Sequence, residues 1–465
     1  MILKNRTFDE LQPGDSAEMR RLITADDLYV FAAASGNHNP MHLPRVDGNG
    51  DGKPDEIAPG MFVGALIATV LGMQLPGPGT LYRKQSFTFF ERAHANEELV
   101  VRVRVLSKET DGLVTFATEV RRISDDALIV TGEAQVIAPP RRLSFDDANL
   151  PGLVVQRHRH FEDILDRARP LPELATAVVC PEEENSLGGA LLAARESLIT
   201  PILIGEPGRI SATAEKLGAD LSGLEVIPAH SGFEAARIAC ALVHEGRAGA
   251  VMKGHLHTDD LLRAMLDRDT GLRVGRRFTH IFVMDVPGVT HPILISDAAI
   301  NIAPDLEAKV DIVQNAIDLA ISLGIEVPKV GVLSAVETVN PAIQSSIDAA
   351  LLSKMAERGQ IKGGLVDGPL AMDNAVDLAA ARTKGLRSEV AGQAEILVVP
   401  NLDAGNMLAK QLSYISHAEA AGLMLGARVP VILNSRSDSS MARLASCAVA
   451  AIHFQRCIAT PGRTA

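Results

Sequence analysis

The pattern of apolar and polar positions changes character near residue 145. Before that point the chain alternates: segments near 81–91, 98–110, 112–122 and 127–137 show partial two-residue periodicity, as in Val101, Val103 and Val105, which predicts strands with one buried face. They follow the turn Pro76-Gly77-Pro78-Gly79 and an unbroken apolar run, Met61 to Leu71, that reads as a buried helix. Another helix is predicted over 24–36, where the Thr24 hydroxyl can cap the first turn and Asp26 and Asp27 suit its positive end. The expectation is an antiparallel sheet wrapped around one long helix.

Pro139-Pro140-Arg141-Arg142 and the polar stretch Ser144 to Asn149 fit no packed element and predict a linker, dividing the chain into domains over 1–145 and 150–465. Beyond it, short β-branched runs alternate with helical stretches: Ala177 to Val179, Ile202 to Ile204, Val226 to Ile227, Ala250 to Met252, Ile281 to Met284, Ile293 to Ile295, Lys329 to Leu333, Ile396 to Val399 and Val431 to Leu433. That rhythm predicts a largely parallel sheet covered by helices.

Composition narrows the class. At 465 residues the chain has length for roughly three compact units of about 150 residues each. An apolar fraction of 47% with no Trp and three Tyr suits small-residue helices on buried sheets, hence an α/β enzyme. The formal charge of -12 argues against a nucleic-acid surface, so an anionic substrate must be met by local Arg, Lys and helix N-termini. Cys180, Cys240, Cys447 and Cys457 show no CxxC spacing, which argues against a zinc site or a disulfide framework. The most apolar stretch, Phe62 to Met73, falls short of the ~20 residues that span a bilayer. A cytoplasmic location with no membrane contact is expected.

In the first half, Ser35-Gly36-Asn37-His38-Asn39-Pro40-Met41-His42, followed by Gly60-Met61 and Leu75-Pro76-Gly77, resembles the MaoC-like (R)-specific enoyl-CoA hydratases of the α+β hotdog fold, over about residues 10–138. The family motif reads SGDxNPxH, and the resemblance implies that its Asp and last His activate the water that adds to an enoyl-CoA. Those positions are Asn37 and His42 here, and Pro59 stands where the family commonly has His. A neutral amide accepts no proton, so losing that base is expected to cost about 10²- to 10⁴-fold. Three readings stay open: a hydratase dependent on His42, a non-catalytic acyl-CoA-binding or dimerisation module in which His42 only supports the Asn39-Pro40 turn, and a chain whose main activity is hydration.

Asp47, Asn49, Asp51 and Asp55, with Gly52, match the front of an EF-hand calcium loop, but position 12 is Ala58. The expectation is a solvated acidic turn and no metal.

Across about 158–460 the pieces Met252-Lys253-Gly254 with Thr258, Ser296-Asp297-Ala298-Ala299 with Asn301, Ser334-Ala335-Val336-Glu337, Asp367-Gly368-Pro369-Leu370 with Asp373, Gly405-Asn406 with Lys410, and Ser435-Arg436 resemble, in this order, the phosphate acetyl- and butyryltransferases. That resemblance implies an α/β fold of two lobes like the isocitrate dehydrogenase group, with the site between the lobes. It also implies CoA, acyl-CoA and phosphate as substrates, no bound cofactor, and a homodimer or higher homo-oligomer. Ser435-Arg436 follows an apolar strand and precedes a helix beginning near Asp438, the edge where open α/β sheets place ligands. Arg436 offers a fork for two phosphate oxygens and Ser435 a donor to the thiol or carbonyl. Asp438 reads equally as a base for the thiol or as a helix cap. Lys253 with Thr258 forms an anion corner, and Asn406 with Lys410, one helical turn apart, suits phosphate. Asp297, Glu337 and Asp373 either shape the cleft or hold helix termini; His255 and His257, two apart, do not share a metal. A same-fold oxidoreductase would need a cluster of metal-binding aspartates and a nicotinamide site, for which no convincing set is found.

Overall fold

In the computed structural model, which describes residues 2–146, 158–435 and 438–459, the apolar run opens at Gly60 and continues to Met73 as one helix. Apolar on nearly every side, such a helix must be enclosed by protein. Its Val63, Ile67, Val70 and Leu71 share a core with Val101, Val103, Phe116 and Val120. These partners come from the strands Glu98–Lys108 and Leu113–Arg122, which run antiparallel and continue into Leu128–Ile137. Ser16–Leu22 extends one side of this sheet and Leu81–Gln85 the other. In Glu98–Lys108 the valines at 101, 103 and 105 are buried and Arg102 and Arg104 exposed, so the alternation marks a one-faced sheet as expected. Helix Ala25–Ser35 begins at Thr24, whose hydroxyl accepts from the Asp27 N–H at 3.1 Å while the Asp27 carboxylate accepts from the Thr24 N–H at 2.9 Å. Strand Ser16–Leu22 was not foreseen in the sequence, since only Ala17 and Met19 give it an inward face. The result is the hotdog arrangement, and it lies within the first of the two units into which the chain divides, Met1–Val155 and Gln156–Ala465.

The second unit is built on one sheet of eleven strands. Its spatial order is Glu225–Pro228, Ile199–Gly205, Leu174–Val179, Ala250–Lys253, Val431–Ile432, Glu419–Leu425, Thr279–Asp285, Ile293–Ser296, Ile396–Val398, Lys329–Leu333 and Leu365–Leu370. The first five strands are mutually parallel, as are the last four. The sheet is thus largely parallel, as the rhythm of short strands predicts, with three antiparallel ladders at the centre joining the two halves. Two strands lacked a sequence signal for physical reasons. Glu419–Leu425 is rich in Ala and Leu, without β-branched residues, and Leu365–Leu370 is an edge strand that tolerates Gly368-Pro369. Helix Ser440–Ala459 packs its Ala-rich surface against Glu419–Leu425 and against helices Arg159–Ala168 and Glu184–Arg195, burying Ala442 to His453 throughout.

Candidate functional site

Because Ala250–Lys253 and Val431–Ile432 are neighbouring parallel strands, Lys253 and the turn Asn434-Ser435 leave the sheet at the same edge. The chain can turn sharply after Lys253 only because residue 254 is Gly: a Cβ there would lie 2.3 Å from the Cys180 carbonyl oxygen. Above this edge lies a cavity of about 590 Å³ whose wall includes Lys253, Thr258, Asn406, Lys410, Ser435 and Asp438. Asn406 and Lys410 reach it from helix Leu402–Tyr414, so residues far apart in sequence converge on one cleft. Arg436 lies outside the described residues. Thr258 is the first residue of helix Thr258–Met265, whose cap position is His257.

The turn that carries Ser435 is clamped from two sides. The Asp438 carboxylate accepts the Ser435 N–H at 2.7 Å, and Arg443 Nη2 donates to the Ser435 carbonyl at 2.7 Å. Arg443 is 4% exposed, and a Cβ on Gly189 would come within 2.7 Å of its Cδ, so the guanidinium stem fills space that only glycine leaves open. Burial lowers the pKa of Arg443, with the Asp438 charge opposing, and raises that of Asp438, with the Ser435 N–H opposing. The cap role goes to Ser439, whose hydroxyl accepts the Ala442 N–H at 3.0 Å. Asp438 therefore holds the turn and faces the cleft, with its carboxyl poised above the usual carboxylate range.

The cleft floor holds groups with no sequence motif to mark them. His280 and Phe282, from strand Thr279–Asp285, stack edge-to-face with centroids 4.4 Å apart, and both line the cavity beside Asn434. Burial drives the His280 pKa down to about 4 against the pull of Asp297, so the ring is neutral. Two signals were available: a histidine interrupting the apolar run after Thr279, and Arg443 in an Ala-rich stretch.

Other expected residues lie elsewhere. The Asn301 amide donates to the Phe278 carbonyl at 2.9 Å and to Asp297 at 2.6 Å, which ties it to its own loop and away from the cleft wall. Asp297 accepts the N–H groups of Ala299, Ile300 and Asn301, so it holds a turn. Glu337 pairs with Lys384 at 3.1 Å, which lowers its pKa, and exposed Asp373 lies within its electrostatic reach, not on the cleft wall. His255 Nδ1 lies 2.5 Å from Glu183 Oε1.

In the first unit, Asn37 and His42 share one loop. His42 Nδ1 lies 2.8 Å from the Ile57 carbonyl, which only accepts, so Nδ1 carries the hydrogen and Nε2 is the basic atom. The Asn37 side-chain oxygen accepts the Asn39 N–H at 3.3 Å, and the Asn39 oxygen accepts the Met41 N–H at 3.2 Å. In the acidic loop, Asp47 accepts N–H groups of Gly50, Asp51 and Gly52, and Asp55 accepts from Gly48 and Asn49. Those N–H groups hold the Asp47 pKa down. No metal-holding cluster of three or more His, Cys, Asp or Glu occurs among the described residues. None of the described helices is long and apolar enough to cross a membrane.

Comparison with known proteins places both regions. The family model described as "Phosphate acetyl/butaryl transferase" matches residues 229–451, and that described as "MaoC like domain" matches 10–125. A phosphate acetyltransferase of Rhizobium meliloti is 55% identical over 296 residues, covering 64% of this chain and 94% of the relative. The crystal structure of a branched-chain phosphotransacylase from Enterococcus faecalis V583 is 29% identical, covers 60% of this chain and 99% of its own, and superposes with a TM-score of 0.54. The unliganded R-hydratase PhaJ1 of Pseudomonas aeruginosa is 35% identical, covering 33% of this chain and 99% of its own, with a TM-score of 0.32.

Proposed function

The chain belongs to the phosphate acetyl/butyryltransferase family and carries a MaoC-like domain ahead of the transferase part, and from that premise we propose that residues 150–465 exchange a short acyl group, acetyl or butyryl, between CoA and inorganic phosphate. The observation that carries this reading is the convergence of Lys253, Thr258, Asn406, Lys410, Ser435 and Asp438 on one cavity at a strand edge beside the start of helix Ser440–Ala459. Cations and helix N–H groups there suit phosphate, and Ser435 suits the carbonyl or the sulfur.

In the forward direction a phosphate oxygen attacks the thioester carbonyl carbon, a C–O bond forms, the C–S bond breaks, and the proton of hydrogen phosphate ends on the CoA sulfur. In reverse, the thiol must lose its proton. A free thiol near pKa 8.5 is only a few per cent ionised at neutral pH, so a base contributes at most ~2 kcal/mol and positioning contributes more. Asp438, with its pKa raised, is the group we assign to that proton. The full chain is expected to release CoA from acetyl-CoA or butyryl-CoA only when phosphate is present. Arg436→Ala should lower that rate by at least ~10²-fold, about 3 kcal/mol of transition-state stabilisation. A variant with undiminished turnover would remove Arg436 from the mechanism.

For residues 1–145 the proposal is an acyl-CoA site that hydrates slowly. His42 Nε2 supplies a base, and Asn37 cannot supply the second. Crotonyl-CoA hydration should be feeble and should rise by about 10²-fold in Asn37→Asp. An unchanged rate in that variant would favour the reading as a binding or dimerisation module.

A further inference from the structure

Two buried acceptors on the cleft floor have no hydrogen to receive. Asn434, 8% exposed, and His280, 2% exposed, both line the cavity, and neither Asn434 Oδ1 nor His280 Nδ1 has a hydrogen-bond partner among the described residues. Their orientations are fixed by what surrounds them. The Asn434 amide nitrogen faces the Asp438 carboxylate at 3.2 Å and the Ser446 hydroxyl at 3.0 Å. A carboxylate only accepts, so turning the amide would set oxygen against oxygen. The Nε2 edge of His280 faces the Leu433 carbonyl, which also only accepts: a Cβ on Gly422 would lie 2.3 Å from the Leu433 oxygen and 3.2 Å from His280 Nε2, so the hydrogen sits on Nε2. A neutral ring with its hydrogen on Nε2 leaves a bare lone pair on Nδ1. Buried acceptors left bare are costly, and a functional site is where such groups persist.

The surroundings say what should approach. Asn434 adjoins Ser435 on the turn that leads into helix Ser440–Ala459, and Lys253 and Lys410 line the same cavity. Such a corner attracts an anion, yet an anion made only of acceptor oxygens would meet two lone pairs on the floor. Hydrogen phosphate carries one hydrogen and dihydrogen phosphate two. A pantetheine amide also offers a hydrogen, but it carries no charge to draw it into the cationic corner.

Resting on the transferase reading above, we infer that His280 Nδ1 and Asn434 Oδ1 receive the P–OH of phosphate, so that the cleft selects a protonated oxyanion over fully deprotonated dianions. The same hydrogen is the one that must reach the CoA sulfur in the forward reaction, so the floor would hold the nucleophile with its transferable proton in place.

Calorimetric binding of phosphate, sulfate and monofluorophosphate to the full chain at neutral pH tests this without turnover. Sulfate and monofluorophosphate are dianions of similar size with no P–OH. Each should bind at least ~10-fold more weakly than phosphate, the equivalent of one hydrogen bond. His280→Gln keeps a donor toward Leu433 but removes the acceptor at Nδ1, and should weaken phosphate by a similar ~10-fold while leaving sulfate unchanged. His280→Asn places an amide oxygen near the Nδ1 position and should retain the preference. Sulfate or monofluorophosphate binding within about 3-fold of phosphate in the wild type overturns the inference whether or not the variants fold. So does an equal loss for phosphate and sulfate in His280→Gln, or the absence of saturable phosphate binding. Phosphate-dependent CoA release, measured alongside, reads the transferase assignment separately: anion selectivity without release would fail that assignment and leave the selectivity standing.

Discussion

His280 is a histidine whose protonation is decided by where it sits. Its folded pKa of about 4 lies below the ordinary 6.5 because burial penalises the charged ring. The unfolded chain therefore takes up the proton first, and the stability that His280 contributes is intact above pH 6.5 and lost as pH falls toward 4. Between those values the wild type should lose up to ~1.4 kcal/mol per pH unit from this residue. Asp438 and Asp285, both raised by burial, act with the opposite sign, so the measurement must be a difference. Urea midpoints of wild type and His280→Gln should converge as pH falls from 7 to 5; a constant gap would show that His280 is not the titrating group. None of this was visible in the letters. Lys253, Asn406, Lys410 and Ser435, which line one cavity, could be singled out in the sequence because they sit in short motifs at strand and helix ends. His280, Asn434 and Arg443 were not, because their chemistry depends on burial and on partners such as Leu433, Asp438 and Ser435 that only folding supplies.

Among the elements, helix Ser440–Ala459 does more than bury alanines. Its first turns hold Arg443 against Gly189 on one side and the Ser435 carbonyl on the other. Arg443 is a positioning residue: displacing a reacting group by about 1 Å can cost ~10²-fold. Arg443→Met is expected to cut kcat for CoA release by at least ~10-fold with a smaller change in the KM for acyl-CoA. Gly189→Ala, which touches no substrate and crowds Arg443 Cδ, should move kcat in the same direction. If Gly189→Ala lowers thermal stability but not kcat, the clamp is structural only. At this scale the sequence was more legible, since Gly60–Met73, Ala25–Ser35 and the alternating strands declared themselves through period and caps. Helix Ser440–Ala459 was expected to start near Asp438, and it starts at Ser440 because Ser439 supplies the cap. Strand Glu419–Leu425 stayed hidden because Ala and Leu serve helices as readily as a fully buried central strand.

At the scale of the whole molecule, each unit has its own core of buried apolar residues among the described residues. Each unit thus has the packing that a separate fold needs. His42→Ala should leave phosphate-dependent CoA release within about 2-fold of wild type, and Lys253→Ala should leave crotonyl-CoA hydration equally untouched. Coupled losses would show that the two activities depend on one another. The change of pattern near residue 145 foretold two kinds of architecture. It could not foretell the reversal of strand direction at the centre of the large sheet, because periodicity fixes which face a strand buries and not which neighbour it pairs with.

The placement of Val431–Ile432 also bears on how the protein is made. This strand pairs with Ala250–Lys253, about 180 residues earlier in the chain. At a synthesis rate of about 5–20 residues per second, roughly ten to thirty-odd seconds pass before Val251 meets its partner. During that interval the edge of Ala250–Lys253 stands open to wrong pairing. The site is then completed by a late insertion into the middle of the sheet, so the emerging chain has no working cleft until most of the second unit is already in place.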